Sequence, residues 1–173
     1  ARKLFEKASQ HRLLDAIGEE FDMDEAPRRV EIYVNSHIQG TNAVGAMVCA
    51  GPDGFIKSAY RKFNMRDTGK YAVTDGDDFG MMRQMIFRRF ERALREDPER
   101  TTENWPDLLL IDGGRGQLNA VKDVLRELAL DDIMTVGVSK GPDRNAGREQ
   151  FHIDGKDPFT LPPDSPAMHF LQR

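Results

Sequence analysis

The spacing of apolar residues in the first part of the chain changes from a helical to an alternating period near Pro27. Residues 1–22 carry apolar side chains three and four positions apart, which is the pattern of an amphipathic helix. After Pro27 the apolar residues are mostly β-branched, aromatic or small, and glycine-containing turns separate them into short runs. The pattern predicts a helix and then a meander of three antiparallel strands, at residues 29–38, 43–50 and 55–64.

The second half of the chain alternates between helical and strand-like segments. A long helix is predicted to begin at Asp77 or Asp78, where a carboxylate can cap the first turn before apolar residues recur at helical spacing. Leu108–Ile111 is a short, wholly apolar run, which is typical of a strand buried on both faces. The other predicted elements are a helix at 113–129, a strand at 133–139, a loop at 141–165 with a small hairpin near 154–156, and a last helix for which Ser165 is the N-cap.

This pattern divides the chain into a connector helix at 1–26 and a domain at 27–173, which we expect to be truncated at its C-terminus because the last helical pattern stops without a cap. The predicted order is three antiparallel strands, helix, strand, helix, strand and helix. A mixed five-stranded sheet of this α/β class, with three antiparallel strands and then parallel additions flanked by helices, resembles the ribonuclease H-like fold. Nucleases of that fold gather carboxylates around Mg²⁺ or Mn²⁺, which prefer oxygen ligands.

The composition restricts the class of protein further. The chain has 173 residues, of which 39% are hydrophobic and 31% charged, as expected for one globular domain with a single core. It has no apolar run of the roughly 18 residues that a membrane span requires and no signal-peptide pattern, so we expect a cytoplasmic protein without a membrane partner. The single cysteine, Cys49, lies in an apolar run, which excludes a disulfide framework and predicts a buried thiol.

The net charge of −4 gives no overall sign of nucleic-acid binding, but cations cluster locally. Residues 57–70 hold five cations and one acid. Tyr60, Arg61 and Lys62 in this segment either contact a phosphate backbone or alternate on an exposed sheet face. The segment Arg83–Arg100 carries six arginines together with four acids, and this mixture favours a solvated helix face with internal ion pairs over a phosphate patch.

The clearest chemical pattern is DLLLIDGGRGQL at 107–118, where a buried strand ends on the carboxylate of Asp112 and two glycines lead into a helix. Open α/β sheets place their chemistry at this carboxyl edge. The glycines depart from the G-x-G-x-x-G and P-loop spacings, and an acid there would repel a pyrophosphate, so nucleotide binding is disfavoured. The helix N-terminus near Arg115 can still attract a DNA phosphate.

Six ordered blocks span almost the whole chain: EIYVNSHIQGTNAVGAM, YRKFN, GDDFGMMRQMIFRRF, LLLIDGGRGQLNA, SKGPDRNAGREQF and LPPDSPAMHFLQR. In this order they resemble the C-terminal endonuclease domain of the UvrC family, the incision subunit of bacterial nucleotide excision repair. The resemblance implies a Mg²⁺- or Mn²⁺-dependent endodeoxyribonuclease domain that makes the 5′ incision. Its implied partners are damaged double-stranded DNA and the damage-recognition helicase subunit of the excinuclease.

The resemblance also implies site residues at matching positions. The acid that ends the family's central strand matches Asp112, and the acid of its Gly-Asp-Asp block matches Asp78, so both are implied as catalytic residues and metal ligands. The family's first-strand catalytic acid falls at Val34, between matching neighbours, and its metal-site histidine is expected beyond Arg173. We therefore expect weak Mg²⁺ or Mn²⁺ binding and little catalysis. A non-catalytic DNA- or protein-binding scaffold of the excision machinery is the alternative.

Candidate DNA contacts come from several segments. His37 follows Val34 on the first strand, and it either orients a ligand or hydrogen-bonds within the sheet edge. Lys140 and Arg144 share a polar segment with Asp143 and Glu149, where salt bridges within the loop and DNA contacts remain alternatives. The histidines at 11, 152 and 169 are expected to be structural or exposed. The candidate DNA-binding residues are His37, Tyr60, Arg61, Lys62, Arg115, Lys140 and Arg144.

Overall fold

The computed structural model describes residues 2–38, 42–74, 77–140, 149–162, 165 and 168. Within these ranges the chain forms three α-helices, one 3₁₀ turn and seven strands of a single sheet. The elements are α1 (Arg2–Glu20), β1 (Val30–Ile38), β2 (Asn42–Gly51), β3 (Gly54–Phe55), a 3₁₀ turn (Lys57–Ala59), β4 (Arg61–Asn64), α2 (Asp78–Glu96), β5 (Leu108–Asp112), α3 (Arg115–Glu127), β6 (Met134–Lys140) and β7 (Glu149–His152).

The sheet is mixed, with parallel strands at its centre and antiparallel strands on both sides. Its order is β3-β2-β1-β5-β6-β7, and β4 pairs with β2 off this path. The central strands β1, β5 and β6 run parallel, whereas β2, β3, β4 and β7 are antiparallel to their neighbours. The carboxyl ends of β1, β5 and β6 therefore meet at one edge of the sheet, which we call the carboxyl edge.

The predicted mixed α/β architecture is confirmed, but five strands was too few. The third predicted strand is interrupted by the 3₁₀ turn at Lys57–Ala59, and its two parts, β3 and β4, both pair with β2. None of the three residues of that turn is β-branched or aromatic, so little favours an extended backbone there. The predicted loop at 141–165 includes β7, which is only four residues long and therefore shows no clear periodicity. The small hairpin after it is present, since Phe151 and Phe159 exchange backbone hydrogen bonds.

Hydrophobic clusters cover both faces of the sheet. On one face α2 and α3 pack over the central strands, with Tyr33 and Phe90 fully buried. On the other face α1 and Phe21, which follows it, belong to one hydrophobic cluster with Phe151 of β7, and the rings of Phe21 and Phe151 have their centroids 5.5 Å apart. The apolar run of β5 is thus buried on both faces, as predicted. The domain boundary at residue 26 stays a prediction, although α1 packs against the same sheet.

The remaining predictions concern the membrane, the thiol and the last helix. Among the described helices there is none with the length and apolar character needed to cross a membrane. Cys49 is buried as predicted, and burial raises the pKa of its thiol. The predicted last helix falls largely outside the described residues. Ser165 and Met168, which are described, are both buried.

Candidate active site

The carboxyl edge brings together two acids that are far apart in the sequence. Asp112 is the last residue of β5, and Asp78 is the first residue of α2. The N-cap of α2 is Asp77, whose side chain accepts a hydrogen bond from the Gly80 amide at 2.9 Å. The Asp77 side chain therefore caps the N-terminus of α2. The Asp78 carbonyl oxygen accepts a hydrogen bond from Asn35 Nδ2 at 3.3 Å, which joins the first turn of α2 to β1.

The electrostatic surroundings of Asp112 include a second acid and a cation. Asp112 is solvent-accessible, but the protein removes water from part of its surroundings, and this desolvation raises the pKa of its carboxyl group. The charge of Lys140, at the end of β6, opposes that rise, and the nearby charge of Asp78 adds to it. The two acids are thus close enough to repel each other, which is the arrangement that a bound cation would relieve.

The sheet register places Val34 beside Asp112. The parallel pairing of β1 with β5 reaches the residues immediately before these two, so Val34 lies alongside Asp112 on the neighbouring strand. Side chains at paired positions point to the same face of a sheet. On its other side Val34 pairs with Ala46, which in turn pairs with Lys62 on β4. A carboxylate at position 34 would therefore adjoin that of Asp112, whereas the valine side chain is apolar.

Buried polar atoms without a hydrogen-bond partner also occur at this edge. Asn35 is the residue after Val34 on β1, and Gln117 lies against Gly113, because a Cβ atom on that glycine would be 2.2 Å from Gln117 Cγ. Native proteins pair nearly all buried polar groups, so such atoms mark a place where water, an ion or a ligand completes the hydrogen bonding. Among the described residues the unpartnered side-chain atoms are Asn35 Oδ1, Gln117 Oε1, Glu149 Oε2 and His152 Nδ1.

The donor atoms at the carboxyl edge do not complete a metal centre. In the part of the chain that the structure describes, no three His, Cys, Asp or Glu side chains lie together as a metal-binding group. Val34 has no lone pair to offer beside Asp112. Asp112 and Asp78 are oxygen donors of the kind that Mg²⁺ prefers. The set fits weak binding of a hard cation, and it does not fit a site with three protein ligands.

Two of the predicted DNA contacts, Arg61 and Lys62, lie on β4, and Tyr60 immediately precedes it. Two strands, β2 and β1, separate β4 from the strand that carries Asp112. Lys62 is exposed, and it belongs to the cross-strand row that includes Val34. Arg61 is also exposed, but its guanidinium donates hydrogen bonds to the carbonyl oxygens of Ser58 and Tyr60. Tyr60 is half-buried against the core. Of these three residues, Lys62 shares a face with the acidic site.

The other predicted contacts have different positions. Arg115 begins α3, but its guanidinium donates hydrogen bonds to the carbonyl oxygens of Ile153 and Lys156 at 3.1 and 2.8 Å, so it holds the hairpin after β7. Lys140 lies near Asp112, as noted above. His37 pairs through its backbone with Ala43, and its side chain is outside the described structure. Arg144 also lies outside the described residues.

The expectation that His152 is structural or exposed agrees with its position, since it is 6% exposed and its Nε2 atom is 2.8 Å from Ser139 Oγ. Its pairing with Ser139, and the positions of Asn35 and Gln117, were missed by sequence reasoning. Burial and the charge of Arg115 lower the pKa of the His152 imidazole. A lone histidine in a short strand gives no signal of such a pairing. Asn35 could have been noted, because it belongs to the same block as Val34, whereas Gln117 follows an ordinary helical pattern.

The mixed sheet, its flanking helices and the acids at its carboxyl edge define an α/β protein with a ribonuclease H-like fold. Residues 18–173 match the model of the UvrC RNase H endonuclease domain, and the chain belongs to this family. Relatives named UvrABC system protein C from Cereibacter sphaeroides and Paramagnetospirillum magneticum are 57% and 59% identical to it over 100% and 99% of the chain. The chain spans 27% of the length of each of these relatives.

Solved structures of endonuclease V have a lower similarity. The Ciona intestinalis endonuclease V in complex with a 24mer DNA containing an inosine gives a TM-score of 0.45 at 13% identity, covering 79% of this chain and 54% of that one. The catalytic domain of human endonuclease V gives a TM-score of 0.46 at 18% identity, covering 66% and 45%. At these values the similarity supports no inference about the site or the substrate.

Proposed function

We propose that this chain is a DNA endonuclease domain of bacterial nucleotide excision repair, with cleavage on the 5′ side of a lesion impaired by Val34. The observation that carries the proposal is the pair of acids at the carboxyl edge, Asp112 on β5 and Asp78 on α2, in a chain of the UvrC endonuclease family. The position beside Asp112 is Val34, where the resemblance implies a catalytic acid. Loss of that acid supports the proposed impairment.

The proposed chemistry is that of a nuclease dependent on Mg²⁺ or Mn²⁺. In such enzymes a divalent cation generates the attacking nucleophile from water and neutralises charge on the phosphate. The side chains of Asp112 and Asp78 would hold the cation through carboxylate oxygens, and the unpartnered oxygens of Asn35 and Gln117 would orient water around it. Two carboxylates without a third at position 34 hold the ion weakly, so we propose that the chain as given does not cleave DNA at a measurable rate.

The proposed partners follow from the relatives. These are named as components of a UvrABC system, so we propose that the domain acts on damaged double-stranded DNA together with the damage-recognition helicase subunit of that system. Bacterial DNA lies in the cytoplasm, so the same proposal implies a cytoplasmic protein.

A second candidate function is a non-catalytic scaffold that keeps the fold and binds DNA or another protein of the excision machinery. Val34 favours the scaffold function, because an apolar side chain beside Asp112 provides no metal ligand but still fits a partly buried position in the sheet. The two functions make different predictions for a restored acid. A restored carboxylate reactivates an impaired nuclease, whereas a scaffold that has lost further catalytic features stays inactive.

The decisive experiment is nicking of a lesion-containing duplex with Mn²⁺. The chain and its Val34→Asp form are each grafted into the Cereibacter sphaeroides relative in place of the matching segment, so that the rest of the protein is present. End-labelled DNA distinguishes the 5′-side incision from other nicks. We expect 5′-side nicking by the Val34→Asp graft and none by the unsubstituted graft.

A Val34→Asn graft is the matched control, since it adds a similar polar group without a carboxylate. It is expected to stay inactive. Isothermal titration with Mn²⁺ gives a second readout, in which the Val34→Asp form binds more tightly than the other two. If the Val34→Asp graft makes no 5′-side nick, the endonuclease proposal is rejected and the scaffold is favoured.

A further inference from the structure

A groove with a volume of about 840 Å³ lies between β4 and α2, along α2 from Gln84 to the end of the helix, and it extends to Trp105. Met47 and Phe63 contribute apolar surface to it. Its rim carries arginines from three segments, Arg61 on β4, Arg66 in the following connection and Arg88 on α2. We refer to it as the basic groove. Asp78 and Asp112 are not among the residues that line it.

The acids among the described lining residues of the basic groove are already paired. Glu91 and Glu96 form salt bridges with Arg95 and Arg92 at 3.1 and 2.9 Å, each one helical turn away. Asp97 accepts hydrogen bonds from the turn that follows α2. These pairs are the internal ion pairs that the charge pattern predicted for this helix. They leave no described acid of the groove free to neutralise the rim.

The three rim arginines are not paired with a carboxylate of the described residues. Within the described ranges no carboxylate lies at salt-bridge distance from Arg61, Arg66 or Arg88. Arg88 donates a hydrogen bond to the Asn64 carbonyl at 2.8 Å, and its guanidinium lies 5.4 Å from the centre of the Phe63 ring. Burial and the like charge of Arg66 both lower the pKa of Arg88. The protein thus holds two cations together without an anion between them.

We propose that the basic groove binds the phosphate backbone of double-stranded DNA. Guanidinium groups match phosphate oxygens through paired hydrogen bonds. Arg61 and Arg88 donate only to uncharged oxygens, so their positive charge is not neutralised and their remaining N–H groups can reach an external anion. Arg88 lies ten residues after Asp78 on α2, about 15 Å along the helix axis. That length corresponds to about four base pairs of duplex, so we place this phosphate contact about four base pairs from Asp78. This proposal rests on the proposed function, because it takes DNA to be the substrate of the domain.

The test is the salt dependence of binding to a fluorescent 20-base-pair duplex. The variant Arg61→Gln/Arg66→Gln/Arg88→Gln removes the rim charges. The control Arg12→Gln/Arg28→Gln/Arg126→Gln removes the same net charge from exposed positions that do not line the groove. Each lost phosphate contact makes the negative slope of log Kobs against log[salt] shallower by about 0.9. The slope of the rim variant is expected to be shallower than that of the parent chain by about 2.7, and that of the control to match the parent chain.

Folding is checked by circular dichroism, and Arg66→Gln provides a milder variant because its guanidinium makes no hydrogen bond to a described residue. Its slope is expected to be shallower than that of the parent chain by about 0.9. Equal slopes for the parent, Arg66→Gln and the rim variant would overturn the proposal, as would a parent chain that does not bind duplex DNA at about 50 mM salt.

The nicking experiment fails or succeeds separately. If the Val34→Asp graft nicks DNA and the rim variant has the same slope as the parent chain, the nuclease function is supported and DNA binding by the groove is rejected. If the rim variant has a shallower slope and the graft does not nick DNA, DNA binding by the groove is supported and the nuclease function is rejected.

Discussion

Two acids on adjacent strands of the sheet, Glu31 on β1 and Asp112 on β5, have opposite surroundings. Glu31 is completely buried, and it accepts hydrogen bonds from Arg29 at 2.9 Å, from Arg89 at 3.0 Å and from the Tyr33 hydroxyl. Asp112 is accessible, and the charges that shift its pKa include that of another acid, Asp78. The protein supplies hydrogen-bond donors to the Glu31 carboxylate, whereas the Asp112 carboxylate is accessible to solvent and to a ligand.

This contrast separates a structural charge from a candidate functional one by physical criteria. Arg89 also donates a hydrogen bond to the Asn104 carbonyl at 2.8 Å, so the Glu31 network ties β1 to α2 and to the segment before β5. Burial and the Glu31 charge raise the pKa of Tyr33 well above its ordinary value, which keeps the hydroxyl protonated as a donor. At the carboxyl edge, by contrast, Asn35 and Gln117 retain unpartnered buried oxygens.

The largest effect is expected for Glu31→Gln, which keeps the size of the side chain and removes its charge. Arg29 and Arg89 would be left partly buried without a counter-ion, and breaking such a buried pair lowers the free energy of unfolding by about 3–5 kcal/mol. Urea unfolding measures the loss. Asp112→Asn is the control, and we expect it to change the free energy of unfolding by less than about 1 kcal/mol, because it removes a repulsion at an accessible site. Equal losses in the two variants would contradict the comparison.

The sequence predicted the elements of the sheet better than it predicted which residues meet. The strand at Leu108–Ile111 and the helix after Asp77 were correctly predicted, because their signals are local: an apolar run, an N-cap and a helical period. Glu31 lies in an alternating strand, and nothing in its neighbourhood shows that Arg89, 58 residues away, pairs with it. Its burial depends on tertiary packing, which a single-sequence pattern does not contain.

The same limit applies to the arginines of α2. Internal ion pairs were predicted for this helix from its mixture of arginines and acids, and Arg92 and Arg95 form such pairs because helical neighbours three or four residues apart face each other. The position of Arg88 beside Arg66 and over Phe63 was not, because it requires β4 to pass next to α2. Val34 was identified through the resemblance to a family, and the register then showed that it lies beside Asp112. Hydrophobic patterning by itself gives no reason to expect an acid there.

An intermediate effect is expected for Val34→Asp, which turns the carboxyl edge into a cluster of three acids. Without metal the added charge repels Asp112 and Asp78 and lowers the free energy of unfolding by about 1 kcal/mol. Mn²⁺ at one hundred times its dissociation constant would add about 2.7 kcal/mol. Thermal unfolding with and without Mn²⁺ measures both changes.

In the parent chain the shift with Mn²⁺ is expected to be smaller, because the edge then lacks the third carboxylate. The control Val34→Asn should respond to Mn²⁺ as the parent does. A Val34→Asp form with no larger response than these two would show that the edge is not a cation site.

The smallest effect concerns Asp97, an acid satisfied by backbone amides after α2. Hydrogen bonds from the amides of Thr101 and Thr102 lower the pKa of Asp97 below its ordinary value of 3.8. A folded-state pKa that is lowered adds stability above the unfolded pKa, and this contribution is lost as the pH falls toward the folded value. The advantage of the parent over Asp97→Asn should therefore be constant from pH 7 to about pH 4 and shrink below it.

Urea unfolding across that range tests the prediction for Asp97, and an advantage that persists unchanged to about pH 2 would contradict it. Asp97 and Glu31 have the same property by different means, since backbone amides satisfy one and guanidinium groups the other. Each is expected to lose stability when its charge is removed at neutral pH. Asp112 is expected to lose none, because the fold supplies no matching set of donors for it. That difference in response distinguishes a carboxylate kept for stability from one available to a ligand.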